Sequence, residues 1–132
     1  MSGSTSRWPK SNCVTNRLER PFPCILWLGI CGGITPIRKI MSLAEAKGMT
    51  VEVQCWGYTL TQAANLHVML AFGNCDYFEQ PVPYPSFEYG SNNVIRTDKE
   101  GYVHAPKGTG LGIDVDWKAV EKASLLNFEV RS

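Results

Sequence analysis

The sequence predicts an α/β fold built from successive β/α units. Three observations predict it: an apolar run at residues 24–30 followed by a helix-periodic stretch, a strand-like run at residues 49–54 followed by a second helix, and short connections between them. The apolar run reads as a short buried strand that ends at Gly32 and Gly33. Thr35 then suits a helix N-cap and Pro36 the first helical position. Ile37, Ile40, Met41 and Ala44 recur at helical spacing, and Lys47 with Gly48 supplies a basic last turn and a terminating glycine, which predicts a helix over 36–47. Residues 49–54 form the next predicted strand, Cys55 to Tyr58 its outgoing loop, and residues 59–72 a helix apolar on most of its surface and therefore largely buried. Asp76 to Glu79 reads as a third short strand, followed by a proline-rich loop from Gln80 to Pro85. Beyond Pro85 the β/α rhythm stops. A strand at Tyr102–His104, a glycine-rich loop from Ala105 to Gly112, a short helix over 117–124 capped by Asp116, and a last strand at Leu126–Val130 are expected there. Residues 1–23 show no periodicity and are expected to be loosely ordered.

Composition excludes several function classes. The 132 residues suffice for one ordinary domain but fall far short of the roughly 250 of a complete eight-fold α/β barrel. A hydrophobic content of 44% argues against disorder. With 13 basic and 12 acidic residues the net charge is +1, and no basic stripe points to nucleic acid. No apolar run approaches the roughly 18 residues of a membrane span. Arg17 and Arg20 precede the run at 24–30, but Glu19 interrupts them and no signal-type cleavage site follows. Five widely spaced cysteines without a C-x-x-C pair argue against zinc and fit reduced thiols in a cytoplasmic protein. Gly108 to Gly112 lacks the spacing of a nucleotide loop and is expected to form a tight turn.

Four motifs stand in order: Cys31-Gly-Gly-Ile-Thr35; Val51-Glu-Val-Gln-Cys-Trp-Gly57 leading into Ala63-Ala-Asn-Leu-His67; Tyr77-Phe-Glu79 at a strand end; and Gly101-Tyr-Val-His-Ala-Pro-Lys-Gly-Thr-Gly-Leu-Gly112 with Asp114 and Asp116. Across about residues 31–124 they resemble the C-terminal end of enzymes of the mandelate racemase and muconate-lactonising type, within the enolase superfamily. The resemblance implies a partial (β/α) barrel: the last two or three β/α units, with a tail from about Tyr102 that returns to a capping domain. Residues 1–30 lie outside the pattern, and 31–132 would be the C-terminal part of the barrel domain. It further implies magnesium held by carboxylates on middle barrel strands and a base that removes the proton next to a substrate carboxylate, as in acid-sugar dehydration or racemisation. A divalent cation is the strongest local charge for stabilising the enediolate. No compact set of acids precedes Glu79, so the magnesium ligands are expected outside this chain.

The departures from the pattern matter. Many relatives carry an aspartate where Trp27 stands and a histidine where Gln54 stands, so the usual aspartate–histidine dyad is absent; glutamine cannot act as a general base near neutral pH. Glu79 is the candidate catalytic residue, an acid that would approach the substrate carboxylate or the enediolate; the plainer alternative is an exposed glutamate beside a proline-rich turn. Gln54 and Trp56 are the candidate substrate-binding residues, although Trp56 and Tyr58 would equally serve to cover the barrel mouth. His67 is expected as a packed core histidine, and His104, remote from any acid cluster, as a surface or interface residue. Three functional readings follow. The chain is part of a magnesium-dependent enzyme acting on a carboxylate-bearing small molecule and is inactive alone. Or it is a non-catalytic remnant that associates with an intact relative or with itself through uncovered sheet edges. Or it is a small α/β domain with an unrelated binding role.

Overall fold

Four residues of the leading apolar run, Cys24–Trp27, form strand β1, and the next four, Leu28–Cys31, coil into a single helical turn, α1. The sequence predicts one strand through residue 30; the structure ends it at Trp27, where its parallel partner also ends. The structure, a computed structural model, describes residues 24–126. The expectation for residues 1–23, and the expected strand at Leu126–Val130 beyond its first residue, lie outside the described residues.

Helix α2 spans Ile34–Ala46 and starts two residues earlier than the sequence predicts. Its N-cap is Gly33 at φ 107°, not Thr35, and no side chain caps it. Glycine enters that conformation without a Cβ penalty. Pro36 is tolerated one turn in, because the first N–H groups of a helix have no intrahelical partner. The exit follows expectation: Gly48 N–H donates to the Glu45 carbonyl at 2.9 Å and Met49 N–H to the Ala44 carbonyl at 2.9 Å, the paired bonds of a Schellman stop.

Strand β2 is Val51–Gln54, and it pairs in parallel with β1 so that Cys24 lies opposite Val51 and Trp27 opposite Gln54. Helix α3 spans Thr59–Leu70, inside the predicted 59–72. Val51 and Val53 face the helices, where Ile37, Met41 and Ala44 of α2 and Val68 and Met69 of α3 close one core. The alternation of β2 leaves Glu52 exposed and Gln54 half-buried on the opposite face. A parallel pair joined through α2 and followed by α3 is the β/α repeat that the apolar periodicity predicts.

The expected strand at Asp76 to Glu79 is reduced to one parallel bridge, Phe78 to Val53. Among the described residues this segment has a neighbour on one side only, and Pro81, Pro83 and Pro85 cannot donate to a ladder. The expected strand at Tyr102–His104 is likewise one antiparallel bridge, Thr97 to Val103, closing a small hairpin in which Asp98 N–H donates to the Tyr102 carbonyl at 2.8 Å. A 3-10 turn at Tyr84–Ser86 begins this returning tail. Ile95 packs with Ala63 and Leu66, backed by Val103, Leu111 and Ile113, so the tail folds over the side of α3 away from β2. Helix α4, Trp117–Ala123, has the predicted cap: Asp116 Oδ1 accepts from Ala119 N–H at 3.1 Å.

The hairpin carries a pH dependence. His104 is exposed at the surface, and its Nε2 lies 2.6 Å from the Oδ2 of a single acid, Asp98, six residues upstream across the turn. The bond to His104, followed by the backbone N–H groups of Tyr102 and Glu100, holds the Asp98 carboxyl below its usual range. A carboxylate depressed in the folded state stabilises above its unfolded value, and the contribution is lost as pH falls through the lower folded value. The hairpin is therefore expected to stay closed at neutral pH and to loosen below about pH 4. The Tyr102 amide resonance, followed by NMR from pH 7 downward, should hold a plateau and then move. Asp98→Asn should abolish that acid-dependent shift.

Candidate functional site

The bridge between Phe78 and Val53 lays two chain segments side by side, so their ends meet. Glu52, Val53, Gln54, Tyr77, Phe78 and Glu79 line one cleft of about 270 Å³. Gln54 and Glu79, the candidate substrate-binding and catalytic residues, thus share a cleft; Gln54 is half-buried and Glu79 exposed. Trp56 does not join them. It is 50% exposed and meets Phe87 edge-on, with ring centroids 5.9 Å apart. Tyr58 lines a different groove, of about 280 Å³, between the start of α3 and helix α4. The cleft presents two carboxylates and one amide, with no cationic side chain among its lining residues. An anionic ligand placed there meets like charge unless a cation from elsewhere neutralises it.

Amides fix the cleft from behind. Asn65 is fully buried on α3 and donates from Nδ2 to the Gln54 carbonyl at 2.9 Å. Gln62, one turn earlier, donates to the Gly57 carbonyl at 2.9 Å. On the other side, Gln80 Nε2 donates to the Ile95 carbonyl at 2.9 Å, while its Oε1 accepts from Thr97 Oγ1 at 2.6 Å and Thr97 N–H at 3.2 Å. Gln80 ties the residue after Glu79 to the returning tail. Sequence reasoning missed all three. The available signal is a pair of amides three residues apart on a helix that is otherwise apolar, since a buried amide needs a partner.

Cys55 turns inward beneath the same loop and is fully buried. Burial pushes its thiol up to about 12, only partly opposed by the bond from Asn65. The nucleophile in thiol chemistry is the thiolate, so Cys55 is expected to resist iodoacetamide at pH 8 in the folded protein. Its alkylation, located by mass spectrometry, should be at least about 100-fold slower than in urea. Cys31, Cys55 and Cys75 carry free thiols; Cys75, half-buried, is also raised by burial. His67 is half-buried, not fully packed in the core as expected, with Nε2 3.3 Å from the Leu111 carbonyl of the tail.

The register adds a further point. Trp27 and Gln54, the two positions at which the resemblance implies an aspartate and a histidine, are directly paired across β1 and β2. Neither residue type titrates. A family model described as Enolase C-terminal domain-like matches residues 26–119. The chain belongs to this family. Among curated relatives, a D-galactonate dehydratase family member from Enterococcus gallinarum is 31% identical over 96 residues, covering 71% of this chain and 24% of that protein. A D-galactarolactone cycloisomerase from Agrobacterium fabrum is 33% identical over 98 residues, covering 68% and 26%. Among solved structures, a mandelate racemase/muconate lactonizing-type protein from Pseudovibrio sp. superposes with TM-score 0.70 at 57% identity, over 73% of this chain and 26% of that one. A D-glucarate dehydratase from Agrobacterium tumefaciens, complexed with magnesium, gives TM-score 0.64 at 35% identity, over 76% and 26%. The chain therefore spans about a quarter of the length of these enolase-type relatives. Their C-terminal domain is an α/β fold, in keeping with the parallel β/α pattern here.

Magnesium needs several hard oxygen ligands in octahedral array. Among the described residues no group of three His, Cys, Asp or Glu side chains is placed to hold a metal ion. The cleft offers Glu52 and Glu79 alone, so these residues do not fit a self-contained magnesium site. No described helix is long and apolar enough to cross a membrane.

Proposed function

We propose that residues 31–132 supply the closing two or three β/α units and the returning tail of an enolase-superfamily acid-sugar dehydratase or racemase, a cytoplasmic enzyme in which this chain forms one wall of the site. The single observation that carries the reading is the common cleft of Gln54 and Glu79 at adjacent chain ends on the sheet face away from the helices. Active sites of α/β barrels lie at the C-terminal ends of the strands. Glu79 acts there as a hydrogen-bonding acid toward the substrate carboxylate or the enediolate, where charge develops as the adjacent proton leaves. Gln54 orients the substrate by its amide, while Trp56 covers the neighbouring loop against Phe87, outside the cleft. The base and the magnesium carboxylates come from residues other than those of this cleft. A lining without a cationic side chain leaves the neutralising cation to other residues, and the chain alone is expected not to turn over substrate. The tail, clamped by Gln80, leads back toward a capping domain.

The test is a chimera. The chain replaces the matching C-terminal quarter of the D-glucarate dehydratase relative, and dehydration of D-glucarate is followed with magnesium present. Glu79→Gln is expected to lower kcat/KM by about 100- to 1,000-fold. A chimera that binds magnesium and is active, yet loses less than about twofold on Glu79→Gln, contradicts the role; twofold is below the effect of one such interaction.

A second reading is favoured by the sheet edges. Among the described residues β1 pairs only with β2, and Phe78 pairs only with Val53, which leaves strands open to a partner chain. A non-catalytic chain that associates with an intact relative, or with itself, would elute larger than a 14.7 kDa monomer in size-exclusion chromatography.

A further inference from the structure

Asn65 is an anomaly in its surroundings. It is 0% exposed, on a helix whose neighbouring inward residues are Ala63, Ala64, Leu66, Val68 and Met69. Its Nδ2 donates to the Gln54 carbonyl and lies 3.6 Å from Cys55 Sγ. Its Oδ1 is buried and has no hydrogen-bond partner among the described residues. Leaving a buried acceptor unpaired costs about as much as one hydrogen bond gains, so the two halves of this amide roughly cancel. A leucine of similar shape would remove that penalty but leave the Gln54 carbonyl without this donor, so the exchange is expected to be close to neutral. The residue is therefore not explained by stability, and local violations of packing rules are the expected mark of a site held in a set geometry.

What Asn65 does hold is specific. The carbonyl it grips belongs to Gln54, the last residue of β2 and the last of that strand to line the candidate cleft. Beyond that point the loop to Tyr58 has few other anchors. Cys55 Sγ–H donates within the same strand end to the Val53 carbonyl at 3.5 Å, and Gln62 takes the Gly57 carbonyl one turn upstream on α3. The two amides on one helix face thus pin both ends of the loop to a rigid element. Sites carried on loops gain accuracy from such backing.

We infer that Asn65 is a positioning residue, whose grip on the Gln54 carbonyl sets where the end of β2 and its side chain sit in the cleft, at no net gain in stability. The inference rests on the proposed function for what the cleft binds, but the positioning itself is measured without substrate. Its failure is thereby distinguishable from failure of that reading, which the Glu79 chimera tests.

The experiment uses the full chain, with Asn65→Leu and Asn65→Ala compared with the parent. Thermal unfolding is followed by circular dichroism and backbone order by 15N relaxation. Asn65→Leu is expected to melt within about 5 °C of the parent, a shift that corresponds to one weak interaction or less. The order parameters of Gln54, Cys55, Trp56 and Gly57 are expected to fall below about 0.6, while those of α3 stay near 0.85. Unchanged loop order in both variants overturns the inference. So does a loss of more than about 10 °C in both variants with order lost from loop and helix together, because the role is then purely structural.

Discussion

Met41→Ala is expected to destabilise the protein by about 2–5 kcal/mol, read as a lower urea midpoint at an unchanged slope. Met41 is 0% exposed and sits where α2, β2 and α3 meet, in contact with the cluster of Ile37, Val51, Val53, Val68 and Met69. Truncation removes the transfer free energy of the lost atoms and leaves a cavity that the surrounding elements can fill only by moving. They are not free to move. Val51 and Val53 are fixed by pairing with β1, and Asn74 Nδ2 holds the Met41 carbonyl at 3.3 Å and the Met49 carbonyl at 3.2 Å, locking the end of α2 to the start of β2. Small domains have only about 5–15 kcal/mol in total, so this one change removes a large share. An Ala variant that melts with the parent would mean the β/α core described above does not carry the fold.

Gly112→Ala is expected to be the most damaging change in the tail. Gly112 sits at φ 70°, and a Cβ there would lie 2.8 Å from the Pro106 carbonyl oxygen and 2.9 Å from the carbonyl carbon. The left-handed backbone costs an alanine about 1–2 kcal/mol by itself. The clash is with backbone, which cannot rotate away as a flexible side chain would. The Gly112 carbonyl also accepts from Asn93 Nδ2 at 2.8 Å, and the Leu111 carbonyl meets His67, so a shift here pulls the tail from α3. Gly110 makes the control: it is also left-handed, at φ 61°, but a Cβ there meets nothing within 4 Å. Gly110→Ala should therefore lose only the conformational term, whereas Gly112→Ala should lose clearly more and become sensitive to limited proteolysis between residues 105 and 113. Equal losses in the two variants would show that the contact with Pro106 is not what fixes the turn.

How much of this was legible in the sequence follows from the range of each interaction. Helices α2 and α3 and the cap of α4 are written in local spacing: Ile37, Met41 and Ala44 lie one turn apart, and Asp116 precedes its own helix. The start of α2 was displaced because Gly33, not Thr35, takes the entry conformation. The apolar run at 24–30 divides into β1 and α1 at a point set by the length of β2, which no local pattern records. Asp76 to Glu79 has strand character but only one neighbour to pair with, and pairing is a tertiary fact. In the site, Gln54 and Glu79 were found through motif likeness, and their shared cleft agrees with that placement without testing their roles. Asn65, Gln80 and the His104 partner Asp98 escaped because each acts on a residue 6 to 17 positions away, across a turn or loop. Trp56 lies on the strand-exit loop, where a pocket residue is expected, but its ring meets Phe87 and does not line the cleft.

The central claim is that this chain builds one wall of an enolase-type site while the metal-holding carboxylates belong to other residues. Isothermal titration of the purified chain with magnesium chloride, followed by an assay on D-glucarate and D-galactonate, tests it most directly. The account predicts no saturable binding below about 1 mM, weaker than the tightest extracellular divalent-ion modules, and no dehydrated product. Micromolar magnesium binding accompanied by steady turnover of either acid sugar would contradict it.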